Sequence, residues 1–354
     1  MQDIKTQWDA SVSLKQPREP LDPELRKEFY DRARHTIEFF AFHVSTPSSV
    51  VSSEMRSTFF NCGVRGQPFP VISTTGVKSA LDVRISNSVL SAFLPGLPAY
   101  PEELLECSKS MVATLQKGGM LMAATFTDVF KELQRRPLSE KEMTACLSWW
   151  IAAQSTYGAS NYRQQLLDAA VFTVDSSDGG GRRIPLKGIQ TFLDPSKLVI
   201  PLDGPLPDHL LPISVNWMLN SIQLQRSLRW REFTVLEWVQ HIVDPAVFTR
   251  TNKFNIVESP VWADRVLRVL GGCWRSLPKA SKITIVGLLE KLTCIPTSAG
   301  MKTPSQAHFS SANIFRDLPV VNLPSKAKIE GDLGVMLADL GVRRHVDLQI
   351  IIDR

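Results

Sequence analysis

Apolar residues recur at spacings of three and four through most of the chain, and most such stretches open on a helix-start signal. Asp22-Pro23-Glu24 puts Pro at the first helical position and an acid in the first turn, and Leu25, Phe29, Ala33, Ile37 and Phe40 follow on one face. Thr46-Pro47 opens a second helix towards Phe59 and Phe60, which Gly63 and Gly66 interrupt. Tyr100-Pro101-Glu102-Glu103 opens a third, with Leu104, Leu105, Met111, Val112 and Leu115 as its buried stripe and Gly118-Gly119 as its stop. A short helix is predicted around 128–135. Ser139-Glu140-Lys141-Glu142 and Thr234-Val235-Leu236-Glu237 read as capping boxes, in which hydroxyl and carboxylate satisfy each other's backbone N–H groups. Ser160 is predicted to cap a helix through Leu166 and Leu167. Pro212 should precede one carrying Val215, Met218, Leu219 and Ile222, and Ser259-Pro260 should open one bearing Trp262, Val266, Leu267 and Leu270 that ends near Gly271-Gly272. Ile283, Val286, Leu289 and Leu292 mark another helix, and 330–340 a last one.

Three interruptions of this helical pattern resemble one another. Phe69-Pro70-Val71-Ile72-Ser73-Thr74-Thr75-Gly76-Val77-Lys78 is matched by Leu292-Thr293-Cys294-Ile295-Pro296-Thr297-Ser298-Ala299-Gly300-Met301-Lys302. A looser copy runs from Ala170-Val171-Phe172-Thr173-Val174 through a Gly-rich turn to Arg182-Arg183-Ile184-Pro185. Each reads as a strand, a Gly turn and a second strand, and each is followed by Leu-Pro: Leu97-Pro98, Leu206-Pro207 and Leu318-Pro319. The expected fold is α+β and mainly α-helical, in serial helical units that each end in a β-hairpin and are winged-helix-like. The expected divisions are a mobile leader at 1–20, a first and short unit at 21–99, a second at 100–211, a third at 212–325 and the start of a further helical unit at 326–354. The chain stops inside an apolar run (Val346, Leu348, Ile350, Ile351), an ending expected of a piece of a larger protein.

Composition changes this picture little. With 44% hydrophobic and 21% charged residues in 354, the chain has material for sizeable cores. No apolar run reaches the roughly 18 residues of a membrane span, and the N-terminus lacks a secretory pattern; cysteine usage points to a reducing compartment, so a cytoplasmic or nuclear location is expected. Its 5 cysteines (62, 107, 146, 273, 294) are odd in number and without close spacing, which argues against a disulfide framework and against zinc. The net charge of +5 is weak for a nucleic-acid binder of this size. The charge is uneven, however: from 221 to 302 there are 12 Lys and Arg against 6 Asp and Glu, an excess of 6. Solvated sides of amphipathic helices are the favoured reading of that excess, and a basic face is the alternative.

Candidate chemistry is sparse. Asp175-Ser176-Ser177-Asp178-Gly179-Gly180-Gly181 is the most site-like string, but an extended piece follows it rather than a helix, so a hairpin turn is favoured over a phosphate loop. Ser45-Thr46-Pro47-Ser48-Ser49 offers hydroxyls without a nearby His–Asp pair and reads as cap and turn. Cys62, Cys146 and Cys273 read as small core residues and His241 as structural. Trp149, Trp150, Trp217, Trp230, Trp238, Trp262 and Trp274 read as helix-packing core, with base stacking next to Arg231 as the alternative for Trp230. No catalytic, cofactor-binding or metal residue is assigned. Arg182, Arg183 and Lys302, on the hairpins, are the candidates for nucleic-acid contact, although the helices before those hairpins are not basic.

Several strings resemble a known family: His43-Val44-Ser45-Thr46-Pro47-Ser48-Ser49-Val50-Val51, Ile295-Pro296-Thr297-Ser298-Ala299-Gly300-Met301-Lys302-Thr303-Pro304-Ser305, Asp317-Leu318-Pro319-Val320-Val321 and Leu340-Gly341-Val342-Arg343. The family is a group of large, mostly fungal, functionally uncharacterised proteins. They are similar to sacsin in carrying an N-terminal ATPase domain of the heat-shock-chaperone and histidine-kinase type. The resemblance runs from about Leu21 onward and implies that this chain is the region downstream of the ATPase. The ATP site of such proteins needs an Asp-x-Gly-x-Gly turn, and Arg182 stands where the second Gly belongs after Asp178-Gly179-Gly180-Gly181, so no ATP-site residue carries over. The expected function is a non-catalytic structural and protein-interaction region of a chaperone-like protein. Its partners would be proteins, the rest of its own polypeptide included, with no cofactor and no membrane. Nucleic-acid binding is the alternative and a cryptic nucleotide site the third.

Overall fold

The computed structural model describes residues 70–79, 81–101, 121–157, 160–174, 181–248, 252–312 and 318–346, with isolated helical positions at 31, 34, 35, 38, 112, 113, 116 and 117. The starts expected at Asp22-Pro23 and Thr46-Pro47, the Gly118-Gly119 stop and the apolar run after Val346 lie outside these residues. The protein is α+β and mainly helical, and the strands among the described residues form five two-stranded sheets.

All three expected hairpins are present. β1 (Pro70–Ser73) pairs antiparallel with β2 (Gly76–Ser79). Two short strands and a helix follow, β3 (Arg84–Ile85), α1 (Ser88–Ser91) and β4 (Met122–Ala123). The next helices are α2 (Phe126–Arg135), α3 (Glu140–Tyr157) and α4 (Ser160–Ala169). β5 (Val171–Val174) and β6 (Arg182–Pro185) make the second antiparallel hairpin, before β7 (Thr191–Phe192). Then come α5 (Ile213–Asn216), α6 (Ser221–Leu228), β8 (Arg231–Glu232), α7 (Val235–Ile242) and α8 (Pro245–Phe248). The long helices α9 (Pro260–Cys273) and α10 (Lys279–Leu289) lead to the third hairpin, β9 (Ile295–Thr297) with β10 (Gly300–Lys302). The turn there uses a φ of +88° at Gly300, a conformation that costs a residue with a Cβ. α11 (Gly331–Asp339) is the last helix among the described residues.

The repeat extends beyond the hairpins. After each one, a short extended segment takes two parallel neighbours: Arg84 bridges Ala99 and Met122, Thr191 bridges Leu210 and Arg231, and His308 bridges Val320 and Arg343. The backbone bonds correspond in each copy. Arg84, Thr191 and His308 donate to the carbonyls of Pro98, His209 and Pro319, and their own carbonyls accept from Tyr100, Leu211 and Val321. Leu-Pro supplies the acceptor in the first and third copies. In the middle copy the acceptor lies two residues past Pro207, which corrects the alignment of Leu206-Pro207 with the other two.

The described residues fall into two compact units. One runs to Gly188 and includes Met218–Leu228; the other holds Ile189–Trp217 and the chain from Arg229. This is a division by packing, whereas the sequence divisions follow the repeat. The first unit buries Val129, Phe130 and Leu133 of α2, Met143, Leu147 and Trp150 of α3, Leu166 of α4 and Phe172 of β5. Phe126 stacks on Tyr162 at 4.7 Å with rings 11° apart, beside Trp149 at 5.2 Å. The second unit's core joins Trp238, Val239 and Ile242 of α7 to Trp262, Val266, Leu267 and Leu270 of α9, with Ile285 and Leu289 of α10, Ile295, and Met336 and Leu337 of α11.

The two capping boxes and the Ser259 cap hold where they are read, and the Ser160 cap does not. Ser139 and Glu142 bond reciprocally at 2.8 and 3.3 Å, Thr234 and Glu237 at 2.9 and 3.3 Å, and Ser259 accepts from Trp262 N–H. The helix expected at 128–135 starts earlier, because Thr125 caps it with Asp128 in a further capping box. Ser160 is the first helical residue, not a preceding cap. The helix expected after Pro212 is split: α5 stops at Asn216, and Asn220 restarts the chain as α6 by accepting from the N–H groups of Ile222 and Gln223. That split leaves Met218 81% and Ile222 58% exposed, and Trp217, expected in the core, is 61% exposed. Ile283 is also exposed, on the outer face of α10, and α9 continues through Gly271-Gly272 to Cys273.

Candidate interaction surface

The candidate arginines are adjacent on β6, where Arg182 lies opposite Val174 and Arg183 opposite Thr173, and both are exposed. Lys187, in the 3-10 turn just after the strand, is exposed as well. It escapes a motif reading because Pro185 and buried Leu186 separate it from the arginine pair; its signal is only a basic residue four positions on. Lys302 ends β10 opposite Ile295, is partly buried, and belongs to the other unit. Residues 175–180 of the Gly-rich string lie outside the described residues, as do Ser45–Ser49 and Cys62. The strands on either side of the string pair antiparallel, so it joins strand to strand. A Cβ on Gly181 would come within 2.5 Å of the Thr173 side chain, which is a packing reason for glycine there.

The basic stretch at 221–302 is neutralised in part by acids that a count within that window misses. Arg265 pairs with Asp203 at 2.6 Å and Arg275 with Asp332, both from outside the window, and Arg268 pairs with Asp264 at 3.1 Å and Arg231 with Glu237. Trp230 is buried and offers no stacking platform, and Trp274 donates from its indole to Asp339 at 2.8 Å.

The ionisable side chains with internal partners act as braces. Asp128 receives Arg84 at 2.9 Å and the Thr125 N–H at 3.0 Å; burial works against its charge, but the bonds from Arg84 and Thr125 outweigh that and hold its carboxyl below the usual range. Glu142 accepts from Arg136 at 2.6 Å, and that bond, with those from Ser139, brings its pKa down to about 2 against the opposing effect of burial. Asp264, almost wholly buried, accepts from the Ser325 N–H at 2.8 Å and hydroxyl at 3.0 Å. Burial pushes the thiols of Cys146 and Cys273 up, and that of Cys294 up to about 12. Cys146 and Cys294 are buried as core residues, while Cys273 is only half-buried. Among the described residues no three His, Cys, Asp or Glu side chains gather as a metal site, and no helix is long and apolar enough to cross a membrane.

What these surfaces offer chemically is contact: exposed apolar side chains at Met218 and Ile222 in one unit and at Val261 and Ile283 in the other, and a basic hairpin edge at Arg183 and Lys187. Comparison with curated proteins returns no match, and neither does comparison with solved structures. One family model, described as "Protein of unknown function (DUF3684)", matches residues 1–354. The chain therefore belongs to the DUF3684 family.

Proposed function

We propose that this chain is a non-catalytic structural and protein-interaction region of a larger, chaperone-like protein, as the resemblance to ATPase-bearing fungal proteins implies. The observation that carries the reading is the contrast between polar and apolar groups. Asp128, Glu142 and Asp264 brace neighbouring segments, whereas Met218, Ile222, Val261 and Ile283 turn large apolar surface to solvent. The test is light scattering of a thermally unfolding client protein with and without an equimolar amount of the chain. Suppression of scattering without ATP is the expected result. Absence of suppression, or saturable calorimetric binding of magnesium-ATP, replaces the reading.

Nucleic-acid binding through winged-helix-like units is the second reading. Its support is the order α2, the paired residue Leu138, α3, α4 and a hairpin bearing Arg182 and Arg183. It ranks second because α4, the helix before that hairpin, exposes Gln164, Gln165 and Asp168 rather than basic side chains. Retention of duplex or single strands on filters at low salt, lost steeply as salt rises, would promote it.

A further inference from the structure

The second hairpin is a three-stranded arrangement with one open edge. Leu138 donates to the Val171 carbonyl and accepts from the Thr173 N–H, both at 2.8 Å, so the polar backbone groups of Val171 and Thr173 face Leu138. In an antiparallel pair the residues opposite these two also turn their backbone groups away from the partner strand. Those residues are Pro185 and Arg183. The Arg183 N–H and carbonyl therefore point out from β6, away from β5, and β6 pairs with no second strand among the described residues; the Pro185 carbonyl is taken up by the 3-10 turn at Leu186–Gly188. The Arg183 and Lys187 side chains stand exposed along the same edge, and no acid pairs with either among the described residues.

We propose that this edge of β6 docks an acidic extended peptide, which adds as a further strand: its backbone bonds to Arg183, and its carboxylates pair with Arg183 and Lys187. The proposal rests on the protein-interaction reading and names the chemistry of one partner. A second copy of the same edge is a poor occupant, since it would set Arg183 against Arg183 and Pro185 has no N–H to give; charge and Pro are the devices that keep sheet edges from pairing with themselves. An acidic strand meets the charge and needs only the one donor and one acceptor that Arg183 offers.

The test uses the full chain and a fluorescein-labelled heptapeptide of alternating Glu and Val, read by anisotropy. Expected are a saturable rise, a loss of at least tenfold in affinity on combining Arg183→Glu with Lys187→Glu, and binding of the matching Lys–Val peptide by that double variant. The Arg183 amide should also become protected from hydrogen exchange in the complex. The proposal is overturned if the Glu–Val peptide does not bind, if the double variant binds it unchanged, or if a peptide with Pro at alternate positions binds equally, since that would be charge without the edge. It is also overturned if an oligonucleotide of equal charge displaces the peptide at lower concentration. Client suppression in the double variant separates the two claims. Suppression without peptide binding removes only the docking edge, whereas loss of both removes the interaction reading.

Discussion

The Ser298 hydroxyl donates to the Leu318 carbonyl over 3.1 Å and accepts from the Val320 N–H at 3.2 Å. Thr74 makes the same pair of bonds in the first copy, to the Leu97 carbonyl at 3.3 Å and from the Ala99 N–H at 3.2 Å. The neighbouring hydroxyls correspond too, with Ser73 accepting from Thr75 N–H and Thr297 from Ala299 N–H, each at 3.2 Å. A hydroxyl at the hairpin tip thus latches the tip to the Leu-Pro segment. Ser298→Ala should cost about 1 kcal/mol, the usual net worth of such bonds, whereas Ser298→Thr should cost little because Thr already fills the place in the other copy. Urea unfolding of the two variants checks this, and equal losses would deny the latch.

Asp264 ties α9 to the segment at Ser325 from a buried position, with Arg268 as its counter-charge. Asp264→Ala removes acceptors from the Ser325 N–H and hydroxyl and leaves a cavity lined by polar groups. A loss of about 3 kcal/mol is expected, as for breaking a buried charged hydrogen-bond set. Arg268→Ala, whose side chain is about half exposed, should cost well under that. Chemical denaturation of both variants decides whether the carboxylate or the ion pair is the brace.

Acid should weaken the first unit through Glu142. Its carboxyl is held at about 2 in the folded chain against 4.5 unpaired, mainly by the Arg136 bond. A depressed carboxylate stabilises fully above its unfolded pKa and loses that contribution as pH falls through the folded one. Stability should therefore decline from about pH 4.5 towards about pH 2, with Asp128 acting in the same direction. Thermal melts across this range should show a shallower decline for Glu142→Gln than for the parent chain.

Thiol chemistry should follow burial. A raised pKa leaves little thiolate at neutral pH, and enclosure keeps reagents out. Cys146 and Cys294 combine both effects, while Cys273 is half-buried. Iodoacetamide labelling of the native chain, located by peptide mass spectrometry, should modify Cys273 well before Cys146 or Cys294. Equal rates at all three would mean that the cores open readily.

Local chemistry was legible in the residues, and long-range chemistry was not. Val-Phe-Thr-Val before a Gly-rich turn, or Ile-Pro-Thr before Ser-Ala-Gly, announces a hairpin because strand propensity and turn residues sit within a few positions of each other. The capping boxes at Ser139 and Thr234 are legible for the same reason. The parallel bridges of Arg84, Thr191 and His308 leave no period behind, since they consist of backbone bonds between segments of one or two residues. The misplacement of Ile222 has a definite cause: apolar spacing carries the helix after Pro212 straight through Asn220, whose side chain in fact starts a new helix and breaks the register of the face before it. The open edge at Arg183 could not be read at all, because its direction follows from a bond made by Leu138, more than thirty residues earlier.

Adjacent glycines on α9 offer the sharpest packing test. A Cβ on Gly271 would lie 3.0 Å from the Cα of Leu333 on α11, and backbone cannot step aside as a side-chain tip can. A Cβ on Gly272 meets nothing within 4 Å. Both sit in the same helix, so both gain equally in helical propensity on becoming Ala, by up to about 1 kcal/mol. Only Gly271→Ala must also push α11 away from α9, where overpacking typically costs 1–3 kcal/mol, on the order of the gain or more. Gly272→Ala should thus raise the melting temperature and Gly271→Ala lower it. If the two shifts carried the same sign, the close approach of α9 and α11 would not be what keeps residue 271 a glycine.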